Sequence, residues 1–379
     1  MSGNGTQIRV LVVDDSAFMR KVLGTIIGGD PQMTVVGTAA DGREAVSQAE
    51  SLHPDVITMD INMPVMDGLE ATEHIMTRNP RPIVVVSSES RQGATGTLRA
   101  LELGAVDFVA KPSAAVDLDM VSVREDLLRK IRMASKVRVV RTASRSKVAP
   151  DPTGTGKTLI QPGAAYPLFA ARKAADKFPV IVVAASTGGP ATVMQILPKL
   201  PKDFPAAILL VQHMPATFTA QYGQQLAERA TMRVKEAQHN DALEPGTIYV
   251  CPGSHHLRVT SNGRIALDDG PRISGYRPCA DVTMQTVATF AGPMGLGVVL
   301  TGMGGDAAQG ARAIKAAGGF VIAQDETTST IFGMPAEAIK TGAVDKVLPV
   351  ESIRAGLEKR VLELLGPATV AGGPARIKA

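Results

Sequence analysis

The sequence predicts two α/β domains, each built on a parallel sheet, with a basic linker between them. Three observations lead there: short β-branched apolar runs that end in polar or glycine-rich turns, helical periodicity between those runs, and a loss of all periodicity from about Lys136 to Lys177. A run that is apolar throughout reads as a strand buried on both faces, as helix-covered parallel sheets require. At 379 residues the chain also exceeds one ordinary core.

Composition narrows the class. Apolar residues make up 45% and charged residues 20% of the chain, which is usual for a soluble globular protein. The segment Met1 to Gln7 is polar, and no apolar run has the length to span a bilayer, so a cytoplasmic protein without membrane insertion is expected. Cys251 and Cys279 give no disulfide framework, in keeping with a reducing compartment. The net charge of +4 is unevenly spread: residues 136–177 hold nine basic against two acidic residues, which leaves the remainder net acidic. With no Trp and only 3% aromatic residues, platforms for stacking bases are scarce, and no nucleic-acid partner is expected.

Ile8 to Val13 reads as a strand ending in Asp14-Asp15. Ser16 then caps a helix with the stripe Phe18, Met19, Val22, Leu23, Ile26 and Ile27. Val56 to Met59 repeats the design and ends in Asp60, followed by Asn62, Met63-Pro64 and an Asp67-Gly68 turn; Pro82 to Val86 leads to Ser87-Ser88, and Ala105 to Ala110 to Lys111-Pro112. In a parallel α/β sheet these strand ends converge on one crevice. Asp14, Asp15 and Asp60 then form an acidic cluster suited to a hard divalent cation such as Mg2+. Lys111 and Ser87 add a cation and a donor, a set able to accept a phosphoryl group on Asp60.

This segment, about residues 8–133, resembles the receiver domain of two-component response regulators through Val13-Asp14-Asp15-Ser16, Met59-Asp60, Met63-Pro64 to Asp67-Gly68, Ser87 and Lys111-Pro112. The resemblance implies a flavodoxin-like (βα)5 fold over residues 1–135. It makes Asp60 the phosphoacceptor, has Asp15, Asp60 and the Asn62 carbonyl bind Mg2+ directly with Asp14 acting through water, and places Phe108 at the aromatic switch position beside Ser87 and Lys111.

A further apolar stripe, Leu118, Val121, Leu127, Leu128 and Ile131, closes this domain, and residues 136–177 read as a flexible linker. Within it, Asp151 to Thr158 imitates a phosphate-binding P-loop, but Asp151 stands where glycine is needed and no strand leads in.

Residues 178–366 restart the alternation. Val180 to Ala185 is a strand ending in Ser186-Thr187-Gly188-Gly189-Pro190, with Pro190 suited to a first helical turn. Ala207 to Val211 leads to Gln212-His213-Met214-Pro215; Gly297 to Leu300 leads to Thr301-Gly302-Met303-Gly304-Gly305-Asp306 and an Ala-rich helix closed by Gly318-Gly319. Thr247 to Val250 is another strand, and Leu257 to Leu267 alternates about Asn262-Gly263, a two-residue hairpin signal. A doubly wound, mainly parallel sheet with an antiparallel hairpin follows. Ser186, His213 and Asp306 each fall just past a strand, as acyl transfer asks of a hydroxyl, the base that takes its proton and the carboxylate that orients that base. The chain order differs from that of α/β-hydrolases, and the surroundings of Ser186 are not Gly-x-Ser-x-Gly. Zinc at His255, His256 and Cys251, and thiol catalysis by Cys251, remain alternatives with weaker spacing.

Here the chain resembles the CheB family of chemotaxis protein-glutamate methylesterases, through Ala185-Ser186-Thr187-Gly188-Gly189-Pro190, Gln212-His213-Met214, Pro252-Gly253 and Leu300 to Asp306. The resemblance implies Ser186 as nucleophile, His213 as base and acid, Asp306 as its orienting carboxylate, and Thr187, Gly188 and Met303 in the active-site loops. It also implies methylated chemoreceptors as substrate, with deamidation of receptor glutamines, the chemotaxis histidine kinase as phosphodonor, and no cofactor for the esterase step. Cys279 follows Arg277-Pro278 where that family usually has serine. Two other readings stand beside this one: a nucleotide-dependent oxidoreductase that uses Ser186 to Gly189 as a phosphate turn, and a regulator whose output is binding alone. The tail 367–379, rich in Gly, Ala and Pro, is expected to be disordered.

Overall fold

In a computed structural model the chain divides into two compact units, Met1–Thr155 and Gly156–Ala379. The structure describes residues 7–88, 90–111, 119–137 and 178–366. Pro112, Leu118, the expected linker beyond residue 137, the P-loop imitation and the tail lie outside these residues.

The first unit alternates β1 (Ile8–Val13), α1 (Ala17–Gly28), β2 (Met33–Ala39), α2 (Gly42–Leu52), β3 (Val56–Met59), α3 (Gly68–Arg78), β4 (Ile83–Ser87), α4 (Arg91–Glu102), β5 (Asp107–Ala110) and α5 (Asp119–Ala134). Its five strands lie in the order β2-β1-β3-β4-β5, all parallel. The strand order reverses between β1 and β3, so their carboxyl ends border a crevice, and Asp14 and Asp60 stand there. Buried Val10, Val12, Val56 and Val84 pack one sheet face against Leu23 and Ile27 of α1 and Leu127 and Ile131 of α5.

Phe18 departs from the expected helix stripe, since it is 71% exposed. At about 100° per residue it lies roughly 140° around the helix from Leu23, outside the arc that Leu23, Ile26 and Ile27 turn to the core. Asp67 and Gly68 form a helix cap rather than a free turn: the Asp67 carboxylate accepts from Glu70 N at 2.8 Å, and Gly68 N donates to Ile61 O at 2.8 Å. A Cβ on Gly68 would lie 1.9 Å from the Asp60 carbonyl oxygen, so only glycine fits.

The second unit contains β6 (Val180–Ala185), α6 (Gly189–Ile196), β7 (Ala207–Gln212), α7 (Ala216–Arg229), β8 (Arg233–Glu236), β9 (Thr247–Val250), β10 (His256–Val259), β11 (Ile265–Asp268), α8 (Ala280–Ala291), β12 (Gly295–Val299), α9 (Ala308–Ala316), β13 (Phe320–Gln324), α10 (Met334–Lys340), β14 (Lys346–Leu348) and α11 (Val350–Leu365). Seven strands form one parallel sheet in the order β14-β13-β12-β6-β7-β9-β8, and β10 pairs with β11 in a separate antiparallel ribbon. The winding reverses at β6, whose neighbours are β12 and β7. The carboxyl ends of β12, β6 and β7 are therefore the place where this architecture puts a ligand.

The ribbon turns differently from expectation. Val259 pairs with Ile265, Thr260 N donates to Arg264 O at 2.9 Å, and Gly263 takes φ 72°, so the loop has three residues, Ser261 to Gly263. Only Gly263 adopts the left-handed backbone, whereas a two-residue type I′ turn needs it at both positions. Helix α8 lies close on the sheet because Met284 wedges between two glycines: Cβ atoms at Gly297 and Gly310 would come within 2.4 and 2.5 Å of it.

One strained residue stands next to the first crevice. Val65 has φ 67°, a region that β-branched residues avoid, and Met66 N donates to Pro64 O at 2.8 Å to close a three-residue turn around it. Replacing Val65 by Gly should stabilise the first unit by about 1 kcal/mol, relief of strain outweighing the added freedom of the unfolded chain. Thermal denaturation of the two proteins checks this; an unchanged or lower midpoint would show that the turn carries no strain.

Candidate active site and phosphorylation site

In the first unit, Asp14 and Asp60 are buried and Asp15 is exposed. Lys111 Nζ lies 2.8 Å from Asp14 Oδ2 and 2.8 Å from Asp60 Oδ2 and bridges the carboxylates. Asp14 Oδ1 also accepts from Ser16 N at 3.0 Å, and Asp60 Oδ1 from Ile61 N at 2.7 Å. Burial pushes the Asp60 carboxyl above its ordinary pKa despite Lys111. Burial would lower the Lys111 ammonium, but its bonds to Asp14 and Asp60 hold it above the usual value. Asp14, Asp15 and Asp60 each present an oxygen within 4.8 Å of the others, and this close set of hard donors fits a divalent cation. Ser87 is buried one strand away, where its hydroxyl donates to Gly93 O at 3.2 Å; Phe108 is buried on β5, and Asn62 is exposed in the loop after β3.

In the second unit the three expected side chains come from three adjacent strands. Ala185 pairs with Gln212, so Ser186 and His213 leave neighbouring strand ends side by side. Ser186 N donates to Thr301 O at 3.1 Å, and Gly302 packs so closely that a Cβ there would lie 2.7 Å from the Ser186 Cβ. Gly188, at φ 75°, completes the turn by which Gly189 N reaches Ser186 O at 2.8 Å. Thr301 Oγ1 donates to Thr187 O at 3.0 Å and accepts from Ile331 N at 2.9 Å, which ties the Ser186 turn to the end of β12.

His213 Nε2 lies 2.7 Å from Asp306 Oδ2. Asp306 is 3% exposed and sits at the N-terminus of α8. Its oxygens also accept from Ala280 N at 2.7 Å, Asp281 N at 2.9 Å, Ala307 N at 2.9 Å and the Cys279 thiol at 3.2 Å. Burial would raise its pKa, but the bond from His213 and the backbone donors bring it down to about 2. An ionised Asp306 places the imidazole proton on Nε2 and leaves the lone pair on Nδ1. Nδ1 is buried and without a partner. The expected meeting of all three side chains is thus half realised: among the described residues no hydrogen bond joins the Ser186 hydroxyl to His213. Such contacts are often loose without substrate and tighten in the reacting complex.

Other expectations are resolved by surroundings. Cys251 is fully buried, its thiol faces the carbonyls of Pro252 and His255, and burial raises its pKa far above the usual range, so it is no nucleophile. His256 Nε2 bonds Pro271 O at 3.1 Å and His255 Nδ1 bonds the Ser254 hydroxyl at 2.7 Å, so those histidines do not converge with Cys251. At the turn that the phosphate reading would use, Gly188 packs against Thr330, whose Oγ1 would lie 2.4 Å from a Cβ there. Tyr276, which stacks on His213, escaped the sequence reading. Its one signal was a scarce aromatic residue next to Arg277-Pro278.

Asp281 lies beside this constellation. Burial and the nearby Asp306 raise its pKa to about 6, although Gly310 N donates to it at 2.6 Å. A native pKa above the unfolded value of about 4 means that folding favours the protonated form, so stability falls as pH rises from about 4 to 6. Asp281→Asn keeps an acceptor for Gly310 and removes the charge. Its melting temperature should exceed that of the parent at pH 7 to 8 and match it below about pH 4; an equal midpoint at all pH values would refute the assignment.

With this geometry, likeness to known proteins becomes informative. A family profile described as CheB methylesterase matches residues 181–357, and one described as response regulator receiver domain matches residues 10–121. The protein-glutamate methylesterase/protein-glutamine glutaminase of Symbiobacterium thermophilum is 44% identical over 359 residues, spanning 94% of this chain and 98% of that protein. Its namesake in Pyrococcus horikoshii is 44% identical over 370 residues, 94% of each chain. In Halalkalibacterium halodurans a protein of the same name is 42% identical over 352 residues, 92% of this chain and 96% of that one. The likeness runs through both units at once, and the chain belongs to the CheB methylesterase family, with a response regulator receiver domain ahead of its catalytic domain.

Proposed function

We propose that the chain is a protein-glutamate methylesterase and protein-glutamine glutaminase of chemotaxis adaptation, controlled by phosphorylation of its receiver domain. The observation that carries the catalytic assignment is the Asp306 bond to His213 Nε2, which leaves a buried lone pair on Nδ1 at the strand end next to Ser186. In this reading Nδ1 takes the Ser186 proton as the hydroxyl attacks the γ-carbonyl of a glutamyl methyl ester. The tetrahedral oxyanion is held by backbone N–H groups of the Thr187 to Gly188 turn and the Met303 loop. The imidazolium gives its proton to the departing methoxide, so methanol leaves and an acyl-Ser186 remains. Water then repeats the sequence, with His213 taking its proton, and glutamate and free Ser186 are regenerated. For a glutamine side chain the leaving group is ammonia.

The receiver site supports the control. Phosphorylation of Asp60 replaces a carboxylate oxygen's contact with Lys111 by phosphoryl oxygens. Asp15, Asp60 and the Asn62 carbonyl would hold a Mg2+ directly, with Asp14 acting through water, and the ion would supply positive charge against the phosphoryl group. Ser87 and Phe108 transmit the change, and the unphosphorylated receiver restrains the catalytic domain. The phosphodonor is a chemotaxis histidine kinase, the substrates are the signalling helices of methyl-accepting receptors, and the protein works in the cytoplasm. No helix among the described residues is long and apolar enough to cross a membrane. The esterase step needs no cofactor in this scheme.

Two measurements check the proposal. Methanol release from methylated receptor should fall at least about a thousandfold in Ser186→Ala, and comparable turnover in that variant would remove the hydroxyl from the mechanism. Asp60→Asn should take up no phosphate from acetyl phosphate and lose the stimulation that this donor gives the parent, while a chain lacking residues 1 to about 140 should turn over faster than the unphosphorylated parent. Slower turnover in the truncated chain would overturn the restraint.

A further inference from the structure

The imidazole of His213 has a second fixed neighbour. The ring of Tyr276 lies over it with centroids 4.5 Å apart and planes 17° from parallel. A tight reversal delivers this ring: Ile273 N donates to Tyr276 O at 3.0 Å and Tyr276 N to Ile273 O at 2.9 Å, while Ser274 and Gly275 between them take φ 52° and 87°. Two successive positive φ values are what a two-residue type I′ turn needs.

The segment around the turn is pinned. Arg277 Nη1 donates to the carbonyls of Asp269 and Gly270 at 2.7 and 2.9 Å, and His256 Nε2 bonds Pro271 O at 3.1 Å. At its far end the Cys279 thiol bonds Asp306. The Tyr276 hydroxyl rests against Gly304, where a Cβ would lie 1.9 Å from that oxygen. Tyr276 is therefore held from both ends of its loop and packed against the loop that carries Asp306.

An aromatic face attracts a cation, so a ring stacked on the imidazole can stabilise the charge that it carries in the middle of acyl transfer. Among the charged and titratable groups around His213, Asp306 bonds the ring directly and the Cys279 thiol reaches it through Asp306, while the Asp281 carboxylate accepts from Gly310 N and only the Asp281 backbone N–H reaches Asp306. Tyr276 covers a face that none of these touches, and the stack opposes tilting of the ring away from the strand ends.

We propose that Tyr276 is a positioning residue of the hydrolase, whose ring fixes the His213 imidazole against Asp306 and stabilises the imidazolium formed during acyl transfer. This rests on the Ser186, His213 and Asp306 reading above. The test uses the full chain treated with acetyl phosphate, as Tyr276→Leu and Tyr276→Phe, with methanol release followed against pH and the His213 imidazole titrated by NMR. In the Leu variant kcat should fall about fivefold to tenfold with KM within about twofold, and the imidazole midpoint and the acid limb of kcat should move together to lower pH. The Phe variant, which keeps the ring, should lose much less of kcat than the Leu variant and keep the parent's pH profile. An unmoved imidazole midpoint in the Leu variant, or equal losses in Leu and Phe, would overturn the proposal. Should Ser186→Ala keep its turnover, the hydrolase mechanism falls, while the imidazole titration still decides the stack. If Tyr276→Leu does not fold, Tyr276→Met gives the same comparison.

Discussion

The catalytic unit depends on how one buried anion is accommodated. A carboxylate removed from water is tolerated only when its oxygens find donors, and Asp306 finds five: an imidazole, three backbone N–H groups and a thiol. Two of those N–H groups open α8, whose helix end favours negative charge. The same contacts join the loop after β12, the start of α8 and the end of β7. The charge that orients His213 thus also fixes the positions of the elements around it.

The receiver solves a related problem in another way. There two buried carboxylates face each other across the β1 and β3 ends, and one ammonium serves both. Gly68 lets the loop after Asp60 fold back on itself, and strained Val65 stands just beyond. In each unit a reversal of sheet winding makes the crevice, and the chemistry follows from what terminates the strands: acids and a lysine in one, a hydroxyl, an imidazole and an acid in the other.

Much of this was legible in the sequence because strand ends carry their own punctuation. Asp14, Asp60, Ser186, His213 and Asp306 each directly or closely follow an apolar run, and the parallel fold turns that linear fact into proximity. Phe18 misled because apolar character alone does not fix the angle around a helix, and Asn262-Gly263 because register, not composition, sets loop length. The contacts of Tyr276, Thr301 and Gln324 had no local signature. Gln324 accepts from Thr301 N at 2.8 Å across 23 residues, a pairing that exists only once β12 and β13 are adjacent. Nor could spacing show that Asp306 binds Nε2 rather than Nδ1 of His213.

The strand order of the catalytic sheet also bears on how the enzyme is born. On a ribosome, β6 and β7 emerge in succession, and His213 is made 93 residues before the carboxylate that bonds it. The remaining flank is laid down from β12 outwards, and β12 must dock on the free edge of β6 before its loop can meet α8. A nascent or prematurely ended chain would carry a serine and a histidine with nothing to set the tautomer. The bond between the imidazole and its carboxylate therefore waits on the second flank of the sheet, while β13, β14 and α11 are still to come.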